Sequence, residues 1–169
     1  MEQLLRFSGS YESSKRPLDL LVPLENALGL RSYQLAQHNV RVANRMGKAQ
    51  LRVVGDGNSL EQAFANIIAN AAEAMPKGGT LEISVATDQR RGMDEGRVAI
   101  VKFRDSGNGI PEEDLERVFD PFFTTKELGK RSGLGLTVAH GIVTNHGGKL
   151  HIESKVDEGT TVTVELPLT

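Results

Sequence analysis

Residues 105–148 read DSGNGIPEEDLERVFDPFFTTKELGKRSGLGLTVAHGIVTNHGG. Two glycine-rich turns, Asp105 to Gly109 and Gly133 to Gly135, flank a segment rich in phenylalanine and threonine that carries one well-placed lysine, Lys126. The second turn runs directly into an apolar-periodic segment with Leu136, Ala139, Ile142 and Val143, closed by Gly147 and Gly148, which predicts a helix over 133–145. Backbone N–H groups at such a helix start, with the positive end of the helix dipole, form a ready anion site. The stretch therefore reads as an anion cradle, for which the rest of the chain supplies the floor and any metal.

Working outward, the segment 59–75 is the most informative. Leu60, Phe64, Ile67, Ile68, Ala71 and Met75 form one apolar face, and Pro76 with Gly78 and Gly79 stops the helix. Ser59 stands three residues before Gln62, the spacing of a capping box. Beside the apolar face runs a polar stripe of Gln62, Asn66, Asn70 and Glu73. Asparagine inside a helix costs on the order of 0.7 kcal/mol relative to alanine, so helix stability did not put Asn66 and Asn70 there.

The remainder falls into elements of ordinary length. Residues 1–17 mix Leu4, Leu5 and Phe7 with a serine-rich polar stretch, and read as the tail of something upstream followed by a linker. Residues 18–36 have helical apolar spacing, with Asp19 placed as N-cap. Segments 38–43 and 50–54 are rich in β-branched residues and read as a hairpin or paired strands. Alternation at Leu81, Ile83 and Val85, and again across 98–103, predicts two strands joined by the polar loop 88–96. A short helix is expected over 111–118 and an aperiodic, mobile loop over 119–132. Strict alternation over 150–154 and 160–166, around the turn 156–159, predicts two final strands. Together these give an α+β fold with helices packed on one mostly antiparallel sheet.

The chain's 169 residues suit one domain with a real core, and 38% hydrophobic with 25% charged residues is globular rather than disordered. A formal net charge of -2 gives no electrostatic reason to expect nucleic acid or an anionic membrane as partner, so any anion must be held locally. The absence of cysteine excludes disulfides, thiolate metal sites and a thiol nucleophile. No run approaches the length of a membrane-spanning helix and no signal-peptide core is visible, so a cytoplasmic location is the expectation.

Four features could carry chemistry. The amide oxygens of Asn66 and Asn70, completed by phosphate and water, suit Mg²⁺; asparagines at helical spacing also serve as capping or network residues. Asp105, at the end of a strand and facing Gly107 and Gly109, could accept from an exocyclic amine while the backbone comes close to a ring; a DxG turn is commonly only a turn. Lys126 could meet a phosphate as a point charge, though a loop lysine is commonly solvated. A GLGL before a helix is weak by itself. No GxGxxG follows a first strand and no GK[ST] is present, which rules out a dinucleotide fingerprint and a P-loop.

Taken in order, these features resemble the catalytic and ATP-binding domain of two-component sensor histidine kinases, within the superfamily of gyrase, heat-shock-protein-90, histidine-kinase and mismatch-repair ATPases. NIIANAAEAM resembles the N box, DSGNGIP the G1 box, FDPFFTTK the F box and SGLGLTVAHGIV the G2 box, and GGKLHIES and EGTTVTVELP resemble the closing strands. The resemblance covers about 18–167, and the wording FDPFFTTK with GLGL is most similar to that of nitrogen-regulation-type kinases. It implies a two-layer α/β sandwich, the Bergerat ATP-binding fold, with about five strands against about three helices. It also implies that 1–17 is the stub of an upstream dimerisation helix with its linker, and 18–169 the kinase catalytic domain.

The resemblance further implies a division of labour. Asn66 and Asn70 would hold Mg²⁺, Asp105 would accept from the adenine amine, and Gly107, Gly109 and Ile110 would line the base. Lys126 would touch the phosphates and, with Asn70, serve the transfer itself. Gly133, Leu134, Gly135 and Leu136 would cradle the phosphates, Thr160 would join the adenine-side network, and Phe119, Phe122 and Phe123 would anchor a lid over about 119–133. Two departures stand out. Glu73 occupies a position where many such kinases carry a base, and the phosphoacceptor histidine is missing, since His38, His140, His146 and His151 all lie within the catalytic-domain pattern and are expected to be structural or surface residues. Hydrolysing members of the superfamily place a glutamate four residues before the Mg²⁺ asparagine, where this chain has Asn66. Phosphoryl transfer to a histidine on a dimerisation domain, and from there to a response regulator, is thus the favoured function. Hydrolysis, or nucleotide binding without turnover, is the alternative.

Overall fold

The apolar face of the segment around Phe64 decides how the layers assemble. A computed structural model describes residues 14–90, 96–121, 123 and 134–169. In it that segment is helix α2, Gly57–Ala74, on which Leu60, Phe64, Ile67, Ile68, Ala71 and Ala72 are buried. Helix α1, Leu21–Gln37, packs beside it through Leu24, Ala27 and Leu35. Helix α4, Gly135–Asn145, packs on its other side through Ala139 and Val143, and the short α3 spans Glu112–Leu115.

These helices cover one face of a five-stranded sheet. Its strands are β2 (Val40–Arg45), β4 (Gly79–Arg90), β5 (Gly96–Asp105), β6 (Lys149–Lys155) and β7 (Gly159–Pro167), ordered β2-β4-β5-β7-β6. Only the β2–β4 pair is parallel. Alternation puts every second side chain under the helices. The register stacks Ile83, Phe103, Val162 and Ile152 in one cross-strand row and Val85, Val101, Val164 and Leu150 in the next. The Phe103 ring meets Phe64 with centroids 5.9 Å apart and a 36° tilt, locking α2 to the central strand. Full burial of a side chain of this size stabilises by about 1.5–3 kcal/mol, so these two rows hold the layers together.

The same alternation places the site. Counting along the helix-facing side, β5 reads Val101, Phe103, Asp105; β7 reads Val164, Val162, Thr160; β6 reads Leu150, Ile152, Ser154. Each of these three strands carries two apolar residues and then a polar one. Asp105 pairs with Thr160, and Thr160 with Ser154. One end of an apolar face is therefore closed by a polar row beneath the helices.

Three expectations are corrected. Segments 38–43 and 50–54 do not pair with each other: β2 joins the main sheet beside β4, and β3 (Arg52–Gly55) pairs antiparallel with β1 (Arg16–Asp19) in a separate two-stranded sheet. β1 is four residues long and has no β-branched residue, so the sequence pattern carries no signal for it. The cap of α2 is also not Ser59 but Asp56, whose carboxylate accepts the Ser59 N–H at 3.0 Å. A carboxylate outcompetes a hydroxyl there because it also meets the positive end of the helix dipole. Nor is Asp19 the N-cap of α1: that position is Leu20, which has no side-chain cap bond, and Asp19, one residue earlier, accepts from Leu21 N–H at 3.1 Å while the same oxygen holds the Leu51 N–H ahead of β3. Among the described residues no helix is long and apolar enough to cross a membrane.

Candidate functional site

Asp105, the last residue of β5, is a buried carboxylate with 5% exposure. Its Oδ1 accepts from Gly107 N–H at 2.9 Å and from Thr160 N–H at 3.2 Å. Burial pushes its pKa above the ordinary aspartate value, and the two backbone donors pull it partly back down. Both donors use Oδ1, which leaves Oδ2 for a donor from outside the fold.

The turn after Asp105 is clamped on two sides. On one side, Asn108 N–H donates to the Ala74 carbonyl at the end of α2 at 2.9 Å, and a Cβ on Gly107 would stand 2.5 Å from that carbonyl oxygen. On the other side lies the β6–β7 hairpin. Asp157 N–H donates to Asn108 O at 2.8 Å, Ile110 N–H donates to Ser154 Oγ at 2.7 Å, and a Cβ on Gly109, at φ +71°, would run into the Lys155 carbonyl. The missing side chains at Gly107 and Gly109 thus make room for the protein's own backbone. Gly159, at φ +108°, does the same against the Asp105 carbonyl. Ser106 completes the clamp: its hydroxyl accepts from Thr80 N–H at 2.9 Å.

Helix α2 spans the site. Asn66 donates through Nδ2 to the Gly135 carbonyl at the start of α4, at 3.2 Å, leaving its amide oxygen to accept. Asn70, half-buried, follows one turn later, and Ala74 touches the Asp105 turn one turn after that. From Asn66 to Ala74 is about 12 Å along the axis at 1.5 Å per residue. One helix thus connects the start of α4 to the Asp105 pocket, with Asn70 between them. The N-cap of α4, Leu134, makes no side-chain cap bond, so among the described residues its first N–H groups are left to meet an anion.

The first residues of the phenylalanine segment are held by α4 itself. Thr137 donates its hydroxyl to Phe119 O at 2.9 Å, and the Phe119 ring lies 4.6 Å from the His140 ring. Arg117 sits over the Phe123 ring at 4.5 Å. Lys126, Gly133 and Phe122 lie outside the described residues. Leu134, Leu136 and Ile110 are half-buried around the start of α4 and the Asp105 turn.

None of the histidines is placed as a nucleophile. His146 uses both ring nitrogens: Nδ1 donates to Ile142 O at 2.7 Å and Nε2 accepts from Asp56 N–H at 3.0 Å, tying the end of α4 to the cap of α2. His38 follows α1, His140 packs on Phe119, and His151 is exposed on β6. The structure therefore brings together Asn66 with Gly135, and Asp105 with Gly107, Gly109, Ile110 and Thr160. Sequence reasoning missed Ser154 and Gly159. The signal for Ser154 was available, because it is the lone polar residue at a helix-facing position of β6.

Residues 55–169 match the family described as histidine kinase-, DNA gyrase B-, and HSP90-like ATPase. The chain is 34% identical over 166 residues to Sporulation kinase A of Bacillus subtilis (strain 168), covering 98% of this chain and 26% of that protein. It is 34% identical over 175 residues to Sensor kinase CckA of Brucella abortus (strain 2308), covering 99% of this chain and 18% of that protein. The chain thus spans about a quarter or less of the length of these curated relatives. Among solved structures it superposes on the catalytic domain of histidine kinase ThkA with a TM-score of 0.76 and 29% identity, covering 91% of this chain and 95% of that one.

Proposed function

Because the chain belongs to the family of histidine kinase-, DNA gyrase B- and HSP90-like ATPases, we propose that it is the ATP-binding catalytic unit of a sensor histidine kinase, presenting the γ-phosphate of ATP to a histidine on a dimerisation domain. Asn66 is the observation that carries transfer over hydrolysis. Where the hydrolysing members would hold a water-activating glutamate, an amide stands instead, bonded to the Gly135 carbonyl. Protein-side work in phosphoryl transfer is mostly positioning and charge stabilisation, which suits a cradle with no nucleophile of its own.

The pocket fits an adenine nucleotide. Asp105 Oδ2 would accept from the exocyclic amine, with Gly107, Gly109 and Ile110 around the base and Thr160 in its hydrogen-bond network. Gly133, Leu134, Gly135 and Leu136 would cradle the phosphates at the start of α4, and Lys126 would meet them from the lid. The donor set also fits Mg²⁺. Among the described residues no group of three His, Cys, Asp or Glu could hold a metal, so a cation at Asn66 and Asn70 would draw most of its oxygen ligands from phosphate and water, as Mg²⁺ does. Bound there, Mg²⁺ would neutralise charge on the phosphates.

We place the catalytic unit at 18–169 and a linker before it, with β1 beginning at Arg16 close to that boundary. Its partners in this reading are a dimerisation and phosphoacceptor domain and a response regulator, and its location the cytoplasm, where ATP is. The wording FDPFFTTK with GLGL supports a nitrogen-regulation-like subtype; the names of the relatives, a sporulation kinase and CckA, lend that finer assignment no support.

Incubation with γ-labelled ATP tests the reading. The chain alone is expected to bind ATP and stay unlabelled, and a supplied dimerisation domain of the parent protein is expected to acquire acid-labile, base-stable label. Such label on the chain alone would refute the separate acceptor, and acceptor-independent phosphate release at a steady rate would favour hydrolysis. Asn70→Ala is expected to weaken ATP binding about tenfold with Mg²⁺ present, or about 1.4 kcal/mol, and hardly at all when the metal is chelated. Equal loss in both conditions removes Asn70 from the metal.

A further inference from the structure

Helix α1 turns one face to α2 and the opposite face to solvent. Of its two charged residues, Arg31 donates through Nε to the Ala65 carbonyl of α2 at 3.1 Å, so Glu25 is the one charge left on the outward half. Among the described residues five large hydrophobics are exposed, and three of them, Val22 (54%), Leu30 (64%) and Tyr33 (74%), lie on this half. At 3.6 residues per turn Val22, Asn26, Gly29, Leu30, Tyr33 and Gln37 fall within an arc of about 100°, and none of them is charged. A surface helix normally carries its charges on that side, and an apolar stripe there marks a site of interaction.

We propose that this stripe is a self-association face, on which two copies of the chain pair their α1 helices antiparallel about a two-fold axis. The stripe is self-complementary in that arrangement. With the axis between Gly29 and Leu30, Leu30 meets Leu30 of the second copy, Gly29 meets Gly29, and Tyr33 reaches Asn26. Nothing lies within 4 Å of a Cβ added at Gly29, so it leaves a notch that lets the two helix backbones approach. Asn26 gives its Nδ2 to Glu61 Oε2 at 3.1 Å, which leaves its Oδ1 to accept from the Tyr33 hydroxyl of the second copy. The lack of charge on the stripe has the same sense, because a two-fold axis would set like charges face to face. One helix per copy covers less than the ~1,600 Å² of a standard interface, so the pair is weak, with a Kd on the order of 0.1–1 mM. A tether raises the local concentration into that range, and in the reading above the dimerisation domain supplies one. α1 and α4 flank α2 on opposite sides, so pairing through α1 leaves the start of α4 uncovered.

Sedimentation equilibrium of the full chain from about 20 μM to about 1 mM tests the pairing, and a reversible monomer–dimer equilibrium is expected. Leu30→Glu sets two carboxylates across the axis and is expected to weaken pairing at least about tenfold, with the melting temperature and ATP affinity unchanged because the side chain is exposed. The chain has no cysteine, so single cysteines report the register. Gly29→Cys is expected to oxidise to a covalent dimer. Val22→Cys is expected to stay reduced, because antiparallel pairing holds its two copies about 22 Å apart. A chain that stays monomeric to about 1 mM, pairing that Leu30→Glu leaves intact, or cross-linking as fast at Val22 as at Gly29 each overturns the proposal. Self-association does not depend on what the Asp105 pocket binds, so a chain that pairs but binds no ATP sinks only the nucleotide reading.

Discussion

Asp105→Asn abolishes ATP binding and leaves the apo domain at least as stable as the wild type. Asparagine Oδ1 can keep the Gly107 and Thr160 N–H bonds that Asp105 makes at 2.9 and 3.2 Å. Its Nδ2, however, replaces the free oxygen with a donor, which then faces the donating amine of adenine. Two donors in a buried site cost both the lost bond and the desolvation of each, so affinity should fall by at least about 100-fold, or about 2.7 kcal/mol. Stability moves the other way because the wild-type charge is itself unfavourable. Burial raises the pKa of Asp105 above 3.8. The folded apo state therefore binds more protons than the unfolded chain between 3.8 and that raised value.

It follows that this group's contribution to stability improves as pH falls through its folded pKa, and that the substitution removes this slope. ATP affinity has the opposite sign: the ionised carboxylate is the acceptor, so binding weakens as the same proton goes on. Calorimetric titration and thermal melting of the two proteins across the acid range would show both trends. Wild-type affinity in the variant, or a stability difference that does not shrink as pH falls, sinks the assignment.

Gly109→Ala should be the most disruptive small substitution in the turn. At φ +71° an alanine costs about 1–2 kcal/mol in backbone strain alone. Its Cβ would also run into the Lys155 carbonyl, which is backbone and cannot swing aside. Nor can the turn retreat, because Asp157 and Ser154 hold it at Asn108 and Ile110. A loss of about 2–4 kcal/mol is expected, lowering the melting temperature by roughly 5–15 °C, with ATP binding lost in whatever still folds. Gly47→Ala is the matched control: its φ is +73° and nothing lies within 4 Å of the added Cβ. It should pay only the backbone strain and leave binding intact. Equal losses in both variants would mean that the close approach to the hairpin contributes nothing.

Much of this site could be read along the chain. Asn66 and Asn70 stand out because helix propensity argues against them, and the row Val101, Phe103, Asp105 because a charge ends an apolar alternation. Such signals are local, carried by the periods of 3.6 and 2 that helices and strands impose on whatever they bury. They also located α1, α2, α4 and the strands β4 to β7, since each buries a face against neighbours of similar polarity.

What the chain could not reveal is which distant segments meet. A strand shows the same alternation whichever partner it takes, so nothing near Val40 says that it pairs with Gly79 or that Arg16 pairs with Gly55. Glycine spacing shows that backbone comes close to something at Gly107 and Gly109, but the neighbours, Ala74 and Lys155, are supplied by a helix and a hairpin far away in sequence. Likewise Ser154 is an ordinary strand serine until the register of three strands sets it beside Thr160, which in turn lies beside Asp105. The sequence by itself determined the elements, the apolar faces and the residue types of the site, because these depend on local periodicity and propensity. Only the tertiary structure decided the partners, and with them which polar groups meet at the site, because pairing depends on contacts between segments that no local pattern encodes.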